Sequence, residues 1–128
     1  MDFEITAQKI IEKTLKSGAT ECDVVLAKAS GKSISCRKQK IEDLEESNDS
    51  TIGIRALVDQ KQAFVSSSEV DDDNIETLVN KCVSMAKLAP IDDTAVLGDS
   101  SLFENEIRNL ELNQREETNT EALIDSVK

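Results

Sequence analysis

Histidine is absent from this 128-residue sequence, as are tryptophan and tyrosine. Without histidine the chain lacks the commonest general base, the commonest zinc ligand and every Ser-His or Cys-His nucleophile pair. Four glycines and one proline leave little from which to build a phosphate-cradling loop. Neither a Gly-x-Gly-x-x-Gly run nor a Walker-type Gly-x-x-x-x-Gly-Lys-Ser/Thr loop occurs: Gly31-Lys32-Ser33 has Leu26 where the first Gly of that loop would stand. Three phenylalanines are the only aromatics, so Ile, Leu, Val and Ala must fill the core. The cysteines, Cys22, Cys36 and Cys82, are odd in number, widely spaced and form no Cys-x-x-Cys unit. That excludes a disulfide framework and points to the reducing cytoplasm, with each Cys a small apolar residue. No run approaches the ~18 apolar residues of a membrane span. The N-terminus has neither a basic nor an apolar signal region.

Positive charge is also scarce: 15 Lys and Arg stand against 26 Asp and Glu, for a formal net charge of -11. Nucleic-acid binding draws most of its affinity from cations on phosphate. The densest basic cluster here, Arg37, Lys38 and Lys40, has no aromatic neighbour to stack on a base. No direct nucleic-acid partner is expected. What the chain does have is 38% hydrophobic and 32% charged residues, the balance of a globular domain with a modest core.

Ala7, Ile10, Ile11, Thr14 and Leu15 recur at helical spacing within residues 4–17. Gly18 follows where a left-handed residue is wanted, and Lys13 and Lys16 suit the end of the helix dipole. The period then changes. Five short strands are expected: the apolar run Val24-Val25-Leu26-Ala27, a strand at 33–37, a polar strand at 41–47, the alternating stretch 51–58, and a return at 62–66. Ser30-Gly31-Lys32 is read as a break, Gln39-Lys40 and Asp59-Gln60 as turns. A second helix is expected at 71–89, with Asp71 as N-cap and Ile75, Leu78, Val79, Cys82, Val83 and Ala86 as its apolar stripe, stopped by Pro90. The fold class is α+β: a mostly antiparallel meander of about five strands, with two amphipathic helices packed on one face. Residues 1–90 form the domain. Residues 91–128 read as a linker with scattered apolar anchors, among them Ile91, Leu102, Phe103, Ile107 and Leu112, and the start of a further helix capped by Asn119 or Thr120. About two turns are too few to stand alone, so the helix is expected to be cut short at Lys128.

Three groups of residues invite a chemical reading. Asp71-Asp72-Asp73-Asn74 lacks the alternation, central Gly and final Glu of a calcium loop and reads as an acidic helix start. Ser66-Ser67-Ser68 has hydroxyls but no base nearby. Glu42, Asp43, Glu45 and Glu46 crowd one polar strand. As an acid–base pair they would need burial, so they read as a solvated edge or one that faces a partner or peptide. No catalytic residue and no metal ligand is assigned.

In order, the motifs run Leu15-Lys16-Ser17-Gly18-Ala19-Thr20, Glu21-Cys22-Asp23-Val24-Val25, Ser33-Ile34-Ser35-Cys36-Arg37, Lys40-Ile41-Glu42-Asp43-Leu44, Thr51-Ile52-Gly53-Ile54-Arg55-Ala56-Leu57-Val58-Asp59, Ala63-Phe64-Val65-Ser66-Ser67 and Met85-Ala86-Lys87-Leu88-Ala89-Pro90. This order resembles the N-terminal domain of the TldD/PmbA family, once named modulators of DNA gyrase, from about Ile10 to Pro90. The segment from Met85 through Ile91-Asp92-Asp93 leans toward the PmbA/TldE branch. The family's Gly before Phe64 is missing, and Gln39-Lys40 replaces a Gly-containing turn. The resemblance implies a cytoplasmic zinc metallopeptidase assembly acting on unfolded peptides. In it a TldD-type subunit holds zinc through a His-Glu-x-x-x-His motif in a later domain. No residue of that motif carries over to a chain without histidine. This domain would help enclose the peptide chamber and contact the homologous TldD-type subunit. The alternative reading is a free-standing acidic protein-interaction module for a basic partner.

Overall fold

The computed structural model describes residues 2–104, 106, 108–112 and 119–127; Ile107, Lys128 and part of the 91–117 segment lie outside the described residues. In chain order the elements are α1 (Phe3–Lys16), β1 (Glu21–Arg37), β2 (Lys40–Val58), β3 (Lys61–Ser67), α2 (Asp72–Leu88), a 3-10 turn (Ser100–Leu102) and α3 (Thr120–Val127). The class is α+β, but the strands are three and the α-helices three among the described residues. The expected breaks do not occur. Gly31 keeps an extended backbone and lies against Ser47, 3.4 Å from its Oγ at the position a Cβ would take. Pairing with a neighbouring strand therefore carries β1 straight through Ser30-Gly31-Lys32, and β2 straight through Asn48-Asp49-Ser50. Local composition marks a turn only when the chain has no ladder to stay in.

The strand order is β1-β2-β3. Both connections are two-residue turns with paired left-handed residues, Lys38 (φ 51) with Gln39 (φ 61) and Asp59 (φ 49) with Gln60 (φ 62). This is the pattern of tight hairpins whose twist matches the strands. The first turn sits one residue earlier than Gln39-Lys40, so Lys40 already belongs to β2. The antiparallel register of β2 with β3 runs from Ile52↔Ser67 through Arg55↔Phe64 to Val58↔Lys61. β3 therefore covers only the second half of β2.

The backbone groups together in two compact units, Met1–Lys28 with Asp49–Gly98, and Ala29–Asn48 with Asp99–Lys128. The first holds the core. Ile52, Ile54, Ala56 and Val58, alternate residues of β2, share one buried cluster with Ile10 of α1, Val65 of β3 and six residues of α2. All six residues of the expected α2 stripe are buried, and α1 buries Ile10 and Thr14. The two helices run parallel: Lys9 meets Asp72 at 2.6 Å, Lys13 meets Glu76 at 3.4 Å and Ser17 meets Asn80 at 3.4 Å, one contact per turn at a constant offset. α1 ends in a Schellman motif, with Gly18 N–H donating to the Leu15 carbonyl at 3.1 Å and Ala19 N–H to Thr14 at 3.3 Å, which Gly18 permits at φ 104. The second unit has no buried residue among those described. Its helix α3 is capped by Asn119, whose Oδ1 accepts from Glu121 N–H at 3.1 Å. Thr120 and Leu123 line a small cleft with Ile34 and Leu44 of the hairpin, so even this short helix has an apolar surface to rest on.

Candidate functional site

Glu42, Asp43, Glu45 and Glu46 all stand in the half of β2 that β3 does not reach, with β1 on one side and no strand on the other among the described residues. All four are exposed. Glu42 lies 3.7 Å from Arg37 and Glu46 3.6 Å from Lys32, both pairs open to solvent. Asp43 and Glu45 have no ion-pair partner among the described residues. Pairs exposed to this degree contribute little to stability. An acid–base dyad needs burial to hold its two members in different protonation states, and nothing here supplies it. The arrangement offers charge along an open ladder of backbone donors and acceptors. That suits contact with a polypeptide and gives no means of bond cleavage.

The other candidates have structural occupations. Asp71 accepts from Asn74 N–H at 2.9 Å and caps α2. The Lys9 ammonium, by hydrogen bond and charge, holds the Asp72 carboxyl below its ordinary range. The Ser67 hydroxyl accepts from Asn74 Nδ2 at 3.1 Å. Burial pushes the thiols of Cys22 and Cys82 up, with the Asp23 charge adding to the first. Cys82 reaches the Ile54 and Ala63 carbonyls, each at 3.4 Å, where α2 crosses the β2–β3 ladder. A raised thiol is a poor nucleophile and a poor metal ligand. Among the described residues no three Cys, Asp or Glu converge on a point. The donor set present therefore does not fit zinc.

One constellation escaped the sequence reading. On the side of the sheet away from the core, Arg55 donates from Nε to Asp23 at 3.0 Å and from Nη2 to the second carboxylate oxygen. The Asp23 hydrogen bond holds the guanidinium's pKa above its ordinary value. Next to this pair the Phe64 ring lies over Gly53: a Cβ there would meet ring carbons at 3.0 and 3.1 Å and the Val25 Cβ at 3.9 Å. The available signal was position. Gly53 and Arg55 occupy the odd places in an otherwise apolar alternating strand, so they share the outward face.

The family model for PmbA/TldA metallopeptidase domain 1 matches residues 22–86. A Haemophilus influenzae protein described as a metalloprotease PmbA homolog is 33% identical over 102 residues, covering 80% of this chain and 22% of that protein. Two solved structures share the fold. One, a candidate modulator of DNA gyrase from Bacteroides thetaiotaomicron, has a TM-score of 0.75 at 20% identity over 82% of this chain and 24% of its own. The other, TldE from Thermococcus kodakarensis, has a TM-score of 0.65 at 16% identity over 87% of this chain and 25% of its own. The chain thus spans about a quarter or less of the length of each relative it matches.

Proposed function

Because the chain belongs to the PmbA/TldA metallopeptidase family, matching its domain 1 over residues 22–86, we propose that it is the non-catalytic N-terminal domain of a PmbA/TldD-type subunit. In this reading it helps form the subunit interface and the peptide chamber of a cytoplasmic proteolytic complex. The observation that carries the proposal is the match to a first domain, together with the small share of each relative that the chain spans. In this reading zinc and the hydrolytic step belong to the TldD-type partner; the donors among the described residues do not fit the metal. Among the described residues no helix is long and apolar enough to cross a membrane. The open half of β2 bearing Glu42, Asp43, Glu45 and Glu46 is the part of the surface assigned to the partner or to a peptide.

The test is co-purification of the polypeptide carrying this chain with a TldD-type subunit from the same genome. A stable hetero-oligomer with zinc-dependent peptidase activity is expected. Changing Glu42, Glu45 and Glu46 together to Gln should weaken assembly and flatten its salt dependence, because the charges that salt screens are gone. A polypeptide that remains alone and instead captures a basic partner would return the reading to a free-standing acidic module.

A further inference from the structure

The sheet has an open margin without the protection seen on the acidic one. β1 is an outer strand of 17 residues. Among the described residues, none of its backbone groups bonds to anything beyond the sheet. Exposed edges are normally guarded by charge, proline or a bulge. The open half of β2 is guarded by Glu42, Asp43, Glu45, Glu46 and Asp49, whereas Val24-Val25-Leu26-Ala27 in β1 has neither charge nor proline. Beside this stretch lies an apolar shelf. The Phe64 ring, 59% exposed, leans across Gly53 toward Val25, 62% exposed. A side chain at position 53 would push the ring off, so the glycine makes the shelf continuous from β3 to the β1 margin.

We propose that the β1 margin at residues 24–27 accepts an extended, uncharged polypeptide segment by strand addition. The added strand takes its backbone hydrogen bonds from β1 and sets an apolar side chain against Val25 and the Phe64 shelf. Alternation puts every second side chain of such a strand on the shelf side, which selects segments with apolar residues two apart. Charge argues against a second copy as the occupant, because two chains of net charge -11 repel. The inference rests on the proposed function only for the source of the segment, an unfolded peptide entering the complex. The binding itself is a property of this chain.

The experiment titrates the full polypeptide carrying this chain into a fluorescein-labelled neutral heptapeptide of valine alternating with serine or threonine, read by anisotropy. Saturable binding is expected. The same peptide with every amide N-methylated should bind about tenfold more weakly or worse, having lost its backbone donors. Val25→Lys and Ala27→Lys, both at exposed positions, should do the same by guarding the edge. Lys81→Gln, on the exposed side of α2, should not change binding. Circular dichroism confirms that each variant is folded. Equal affinity for the N-methylated peptide, unchanged binding by both lysine variants, or no saturation at about 1 mM would each overturn the proposal. So would a concentration-dependent dimer that Val25→Lys abolishes, since the occupant would then be a second copy. Failure of the hetero-oligomer test with peptide binding intact would remove the proteolytic reading and leave this site standing.

Discussion

At Asp72 and Cys82 the surroundings shift protonation in opposite senses, and each shift sets a pH dependence. The Asp72 carboxyl is held below its ordinary range by Lys9. Its favourable contribution is present above the unfolded carboxylate range and is lost as pH falls through the depressed folded value. Lys9→Gln should therefore move the Asp72 carboxyl titration upward, followed by carbon NMR across pH 2 to 6. An unmoved midpoint would show that the α1–α2 contact at 2.6 Å does not persist in solution. For Cys82, burial raises the thiol. Its contribution is present below the unfolded thiol value of about 8.5 and is lost as pH rises through the raised folded value. The thermal midpoint of the native chain should fall between pH 8 and 10 more steeply than that of Cys82→Ala. Parallel curves would show that Cys82 is not shielded.

At the scale of elements, α2 is the test of where the core lies. Leu78 is buried in the core cluster while Glu76 is exposed. Leu78→Ala should cost about 2–5 kcal/mol, and Glu76→Ala, which removes only the exposed contact to Lys13, at most about 0.5 kcal/mol. Urea denaturation of both variants distinguishes them, and equal midpoints would place the wrong face inward. The glycines make a second contrast. Gly18 sits at φ 104 with the Lys87 Nζ 3.2 Å from where a Cβ would stand, whereas Gly31 has an extended backbone. Gly18→Ala should cost about 1–2 kcal/mol, because L-residues disfavour the left-handed region. Gly31→Ala should be neutral or stabilising by up to about 1 kcal/mol, since alanine limits the unfolded chain more than glycine does.

At the scale of the whole molecule, burial among the described residues is confined to one unit while β2 contributes residues to both. Local opening costs less where few apolar contacts must be broken. Amide exchange should therefore show two levels of protection along one strand, slow at residues 52–58 and faster at residues 41–47. Uniform protection along β2 would mean that the hairpin opens only with the core. The chain should also fail to retain zinc after dialysis against a weak chelator, because a structural site needs about four converging ligands and the described residues bring no three together.

Residue patterns by themselves determined the two long helices, the Asp71 cap, the Gly18 terminus and the alternating stretch 51–58. They also excluded histidine-based chemistry, and their order pointed to the family. These are local matters of periodicity, capping and composition, and short-range sterics decide them. Tertiary structure alone decided that five strand segments are three strands, because hydrogen bonds to a neighbouring strand override a weak local break. It likewise decided that the carboxylates of β2 lie where β3 ends, that Asp23 and Arg55 meet, and that Phe64 covers Gly53. Each of those depends on register between strands. Register is fixed by the turns at Lys38-Gln39 and Asp59-Gln60 and by which face the helices cover, and a shift of one residue would reverse every side chain.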